Sequence, residues 1–362
     1  MSGLPAEEEE PWRGRRTGID DSIGLVPALP RKRTSSDRLD LAHPLLIPLS
    51  RAQNSIARLE AAVAGVSDAV AEGIRARMAY AEAAGWMAHV STWIDPNELA
   101  LRDSGLRGAY IPALRKGILK GGPAATVDEF ERVSSKRHIA AALRFATQWR
   151  RLAEFTTWRP LADVASVRET VDSIAWRSYP ILDGEIEEWL TYLGSSEMPE
   201  LILAGVGARD WMNTHINSEP LELEALFLAA CIWREKGFGR PISLPFWSAT
   251  TSRHYRLSSA VGTPWLAGFL ECVAEAAQSG RHELDKLLRI EEKSAALKRT
   301  ARSQLAKAIP AVIRAPVTTA RGLANRLNIT HQGALGLLRE LMQAGIVREA
   351  TGRGAWRAFT TI

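Results

Sequence analysis

Thr330-His331-Gln332-Gly333-Ala334-Leu335-Gly336-Leu337-Leu338-Arg339-Glu340-Leu341 is the stretch whose periodicity decides the fold of the C-terminal end. Thr330 suits an N-cap, because a hydroxyl there accepts a bond from a free N–H of the first helical turn. Ala334, Leu338 and Leu341 recur at spacings of four and three, on one helix face. His331, Gln332, Leu335, Gly336 and Arg339 fall on the other. The pattern predicts a helix from His331 to Gln343, closed by Gly345 as a C-terminal glycine.

Working outward, Thr318-Thr319 precede Ala320-Arg321-Gly322-Leu323-Ala324-Asn325-Arg326-Leu327, a second short helical run with Leu323, Ala324 and Leu327 on one face. Asn328-Ile329 leave room only for a tight turn. The apolar faces of both helices are expected to pack on each other and on Leu305, Ile309 and Ile313 upstream. Two short helices across a tight turn, the second with a polar N-terminal face, make a helix-turn-helix. Downstream, Ile346-Val347-Arg348 predicts a strand, Thr351-Gly352-Arg353-Gly354 a hairpin turn and Ala355-Trp356-Arg357-Ala358-Phe359 the returning strand. The hairpin is a wing, so residues 299–362 are expected to form a winged helix-turn-helix.

Such a domain takes double-stranded DNA as its partner, with the second helix in the major groove. Gln332 has the geometry to bond adenine, and Arg339 to bond guanine or a phosphate. Thr330, His331 and the first-turn N–H groups suit a phosphate. Gly333 and Gly336 each cost up to about 1 kcal/mol against alanine in a helix, and a close approach of backbone to duplex is one use for them. Arg348, Arg353 and Arg357 on the wing are expected at phosphates or in the minor groove. The charge distribution agrees. From Ala301 to Ile362 nine basic residues face two acidic ones, a local charge of +7, while the whole chain carries +5 and its other 300 residues therefore −2. A positive end on a slightly negative protein points to a polyanion.

The whole chain of 362 residues is 46% hydrophobic and 24% charged, an ordinary globular composition. Its longest apolar run, Ala225 to Trp233, is far short of the ~20 residues that span a bilayer. Glu7-Glu8-Glu9-Glu10 stand where a secretory leader needs basic and then apolar residues, so a cytoplasmic protein without membrane contact is expected. Cys231 and Cys272 lie in no C-x-x-C pair and are expected as buried structural thiols. The seven histidines form no ligand cluster, so neither a metal nor a cofactor is expected.

Residues 1–40 mix Pro, Gly, Ser and like-charge blocks such as Arg31-Lys32-Arg33, and read as a disordered tail. From Leu41 the chain turns helical. Ile56, Leu59, Val63 and Val66 keep helical spacing, an Ala-rich stretch runs from Val70 to Val90, and breaks fall at Asp95-Pro96-Asn97 and Gly121-Gly122-Pro123. Further helices are expected at 127–155, 164–176, 183–193, 221–235, 265–278 and 285–309, the last stopped by Pro310. The fold class is therefore mainly α: a helical domain at 41–155, a helical region at 156–298 and the C-terminal winged helix-turn-helix. Ten of the twelve tryptophans (Trp86, Trp93, Trp149, Trp158, Trp176, Trp189, Trp211, Trp233, Trp247 and Trp265) are expected to serve as core.

Leu323 to Thr330, Leu338-Arg339-Glu340-Leu341, Gly345 to Glu349 and Thr351-Gly352-Arg353 resemble the winged helix that closes many bacterial Fic-domain proteins. Glu235-Lys236-Gly237 and Arg240-Pro241-Ile242-Ser243-Leu244-Pro245 resemble the segment after the Fic catalytic motif. That family transfers AMP from ATP to a hydroxyl through H-P-F-x-D-G-N-G-R. The matching stretch here is His215-Ile216-Asn217-Ser218-Glu219-Pro220-Leu221-Glu222-Leu223, which keeps the His and loosely an acid at Glu219. The Gly-Asn-Gly turn is absent, and Leu223 stands where the phosphate-binding Arg belongs. Phosphoryl chemistry needs those donors, so the resemblance implies a degenerate relative without catalytic residues and not an enzyme. The whole length, including Leu99 to Gly105, is also similar to rhizobial, often plasmid-encoded proteins that join a domain of unknown function to a C-terminal helix-turn-helix. The expected function is a DNA-binding transcriptional regulator whose helical body dimerises or senses a signal. A divergent Fic-like nucleotidyl transferase and a protein-interaction module of antitoxin type are the alternatives.

Overall fold

The second helix of the body organises the molecule, and its composition explains how. In the computed structural model, which describes residues 44–89, 94–106, 136–154, 157–174, 182–214, 222–237, 239–250, 262–297, 304–351 and 357–362, it runs Asp68–His89 and is buried on nearly every side. Its alanines and glycines let neighbours approach to backbone distance. A Cβ on Gly73 would lie 2.4 Å from the Ile313 carbonyl oxygen, and one on Gly85 2.0 Å from that of Trp247. Any larger residue at either point forces two helices apart.

The chain divides into two units, residues 1–40 and 41–362; the first lies outside the described residues, as does the tail expected there. In the second, the helices are α1 Leu46–Ala64, α2 Asp68–His89, α3 Pro96–Asp103, α4 Lys136–Glu154, α5 Val164–Ile174, α6 Asp183–Ser195, α7 Glu200–Thr214, α8 Glu222–Lys236, α9 Trp247–Thr250, α10 Thr263–Ala295, α11 Leu305–Arg314, α12 Ala320–Leu327 and α13 His331–Gln343. The strands are β1 Val317–Thr319, β2 Val347–Glu349 and β3 Ala358–Thr361. The protein is mainly α, a helical body followed by a C-terminal helix-turn-helix with a small sheet.

The amphipathic α1 buries Ala52, Ile56, Leu59 and Val63 along α10. α4 packs on α2 through Phe145, stacked on Trp86 at 5.6 Å and edge-on to Phe227 of α8 at 5.7 Å. α7 packs along α8, and its Trp211 meets Trp189 of α6 edge-on at 5.0 Å. Elements from 41–155 and 156–298 thus pack into one another. Trp86, Trp149, Trp189, Trp211, Trp233, Trp247 and Trp265 are buried, as expected of core. Trp158 is not: it is half-buried, with the Arg151 guanidinium 4.3 Å above its ring. Trp93 and Trp176 lie outside the described residues. Both cysteines are buried.

Inside α2, Glu82 is fully buried and accepts bonds from the Phe246, Trp247 and Ser248 N–H groups (2.9, 2.6 and 3.1 Å) and the Ser248 hydroxyl (2.6 Å). It caps the short helix α9 from across the core. Burial pushes its carboxyl up, and these donors pull it back.

Two helix boundaries depart from the sequence expectation. The helices expected at 265–278 and 285–309 merge into one 33-residue α10, ending at Ala295. Gly280 does not break it, because Gly280 is pressed between Leu59 and Met78, each 3.1 Å from where its Cβ would be. Pro310 stops nothing either; it sits inside α11. A fresh helix from Leu305 needs only one bond forgone, that to the carbonyl of Ala306, an exposed residue. The helix α7 was not anticipated. Leu201 to Ala204 are all buried, so the run shows no amphipathic period.

Candidate nucleic-acid interface

Each helix of the C-terminal motif starts on the hydroxyl the sequence offers. The Gly322 N–H donates to Thr319 Oγ1 at 2.9 Å, and the Gly333 N–H to Thr330 Oγ1 at 3.1 Å. Between them Asn328 closes α12 in the left-handed region, with φ 51°, a conformation asparagine tolerates better than most residues. Leu323, Ala324, Ala334, Leu338 and Leu341 are buried together with Leu305, Ile309 and Ile313 of α11. Leu327 is only half-buried. Gly345 ends α13 at φ 64°.

β2 and β3 form an antiparallel hairpin, and β1 pairs with the far edge of β3, giving the order β1-β3-β2. β1 departs from the sequence expectation, in which Thr318-Thr319 only lead into α12. The returning strand starts at Ala358, later than the expected Ala355. The hairpin tip with Arg353 lies outside the described residues.

Thr330, His331, Gln332, Gly333, Gly336 and Arg339 are all exposed on α13. They form one surface, carried by a helix whose opposite face is locked into the core. Its first-turn N–H groups carry the positive end of the helix dipole. The two arginines of the hairpin among the described residues, Arg348 and Arg357, behave differently. Arg357 is half-buried, its Nε 3.8 Å from the Glu349 carboxylate. Arg348 is exposed on β2 and lines a cavity together with Lys286 of α10 and Thr360 of β3. The α13 residues share one helix, and Arg348 stands on the neighbouring strand β2.

Two of the nine basic residues of this end are structural fasteners. Arg326 donates to the Ala311 carbonyl at 3.0 Å, joining α12 to α11. Arg314 pairs with Glu72 of α2 at 2.9 Å. Lys307 and Arg321 are exposed, Arg321 in the first turn of α12, and the sequence reading did not single either out. Their signal was available: each lies off the apolar face of its helix.

The interface is held to the body mainly by Arg77 of α2, which is 9% exposed. Its Nη1 donates to the carbonyls of Ile313 (2.8 Å) and Gly73 (2.9 Å), and Nη2 to Thr361 Oγ1 (2.9 Å) and the Ala315 carbonyl (3.4 Å). Nε lies 3.6 Å from Glu283 of α10. Burial pushes the guanidinium down to about 10, against the pull of Glu283, so it stays charged at neutral pH. At the other end Lys293 of α10 donates to the Gly345 carbonyl at 3.1 Å, a cation at the C-terminus of α13.

Among the described residues, no three His, Cys, Asp or Glu side chains gather as a metal site, and no helix is long and apolar enough to cross a membrane. His215 and Glu219 lie outside the described residues.

Fold and surface together define a helical protein ending in a helix-turn-helix. Residues 305–362 match the family model described as HTH DNA binding domain. No curated protein matches the chain. Among solved structures, the chain is similar to a Fic family protein from Desulfovibrio desulfuricans G20, at 11% identity and a TM-score of 0.43, over 88% of this chain and 96% of that one. A score of that size defines no shared site, and the helix-turn-helix match stands by itself.

Proposed function

We propose that this protein is a transcriptional regulator that binds double-stranded DNA through α13, without catalytic activity of its own. One observation carries the reading: within a segment matching a DNA-binding helix-turn-helix family, α13 buries Ala334, Leu338 and Leu341 and exposes Thr330 to Gly333 and Arg339. In this reading the N-terminal half of α13 enters the major groove, Gln332 and Arg339 meet base edges or phosphates, and Thr330 and His331 sit at the backbone. Lys307 and Arg321 add to the electrostatic footprint. Arg353 and Arg357 extend it along the wing.

Selecting genomic fragments on the intact protein tests this. Enrichment of a common sequence supports the reading. If that sequence holds two half-sites about 34–36 Å apart, two copies of the chain bind together. If no fragment is retained at low salt, the reading fails. ATP-dependent labelling of a target that His215→Ala abolishes would instead make the protein a transferase. Stable co-purification with a neighbour-encoded partner, without DNA affinity, would make it an interaction module.

A further inference from the structure

A cavity of about 910 Å³ lies between the helical body and the C-terminal domain. That is within the ~300–1,000 Å³ of pockets that hold small organic ligands, and interfaces between structural units are where such pockets concentrate. Met78, Ala81, Ala84, Ile94, Ala276 and Pro316 give it an apolar lining. Its charged groups come from both sides. Glu275, His282, Glu283 and Lys286 belong to α10, Arg77 to α2 and Arg348 to β2.

Arg77 is committed to the backbone carbonyls and Thr361 described above. Glu283 is divided between Arg77 at 3.6 Å and Lys286 at 3.0 Å. Among the lining side chains, three cations and one histidine face two carboxylates. Arg348, on an otherwise partly apolar wall, enters from the side that belongs to the DNA-binding domain.

We propose that this cavity binds a small organic anion with an apolar body, and that the anion bridges Arg348 of β2 to Lys286 of α10. The same α10 already holds the Gly345 carbonyl through Lys293, at the junction of α13 and β2. An occupied cavity therefore adds a tie between the β2–β3 hairpin and the body to those made by Arg77 and Lys293, and takes Arg348 away from DNA. DNA affinity falls on occupancy. This coupling rests on the DNA-binding reading above; the site itself does not.

Anilinonaphthalene sulfonate, a fluorescent aromatic anion, is the probe. Titrated into the full-length protein, it is expected to bind saturably at about one per chain. Ser279→Trp and Ala81→Phe place bulk on two walls of the cavity and are each expected to weaken it by about tenfold; Lys286→Gln weakens it through charge. Unchanged circular dichroism shows that each variant folds. Saturating probe is expected to slow amide exchange in Val347–Glu349 and Ala358–Thr361, and to lower affinity for a selected DNA fragment by about fivefold or more. Probe binding indifferent to both filling variants overturns the site. Unchanged exchange in the hairpin overturns the coupling. Both results are read without DNA, so a chain that bound no DNA would still decide them.

Discussion

Removing the Arg77 guanidinium leaves the Ile313 and Gly73 carbonyls and Glu283 facing a hole, with no other donor of that shape to replace it. Breaking one side of a buried charged network costs about 3–5 kcal/mol. Arg77→Ala is expected to lower unfolding free energy in urea by about 3 kcal/mol or more. Arg77→Lys should recover little of it, because one ammonium cannot reach Ile313, Gly73 and Thr361 as a planar fork does. Full stability in either variant contradicts this account. Glu224 of α8 makes a pH prediction. Burial, at 8% exposure, and the charge of Asp172 raise it from the ordinary 4.5 to about 7. Between those values the folded chain binds the extra proton, so stability falls as pH rises through the interval. The contribution is full below the unfolded value and lost above about 7; its upper bound is about 3 kcal/mol. Glu224→Gln is therefore expected to flatten the decline between about pH 5 and 8 and to be the more stable protein at the upper end. Parallel curves for the two proteins would count against it.

At the scale of the element, α13 makes the sharpest claims. Thr330→Ala removes the cap from the Gly333 N–H and should cost about 1 kcal/mol of stability. Gly336 has open space where its Cβ would be. Gly336→Ala should therefore stabilise the free protein by up to about 1 kcal/mol, while weakening DNA binding where the helix backbone meets the duplex. A gain in both stability and affinity would remove close approach as the reason for this glycine. The α12–turn–α13 unit was legible in the sequence because its signals are local: hydroxyl caps, a period of four and three, and glycine at the end. β1 was not, since three residues acquire strand character only from pairing with β3, some forty residues later. The merged α10 was illegible for a related reason. The gap between the expected helices holds Gly280, whose small size is needed by Leu59 and Met78 packed against it.

For the whole molecule, the clamp by Arg77, Glu72–Arg314 and Lys293–Gly345 sets the C-terminal domain into the body. The two should unfold in one calorimetric transition, and Arg77→Ala should split it. None of these contacts could be read from sequence, because their partners stand more than fifty to more than two hundred positions apart. The charge asymmetry was legible, yet it overstated the free positive surface: Arg326 and Arg314 were counted as tail charge and serve as fasteners. Arg348 is expected on the surface from its place in the strand, and it is exposed; that it also lines a cavity with residues of α10 emerges only from the packed structure. The central claim is that α13 presents a DNA-reading surface. It is tested most directly by fluorescence anisotropy of a selected duplex across a salt series, with wild type, Gln332→Ala and Arg339→Ala. The account predicts tight binding whose logarithm falls linearly with the logarithm of salt. It also predicts a loss of about 1–3 kcal/mol in Gln332→Ala that is confined to the selected sequence, and a loss in Arg339→Ala. No binding at low salt, or variants that bind as wild type does, would contradict it.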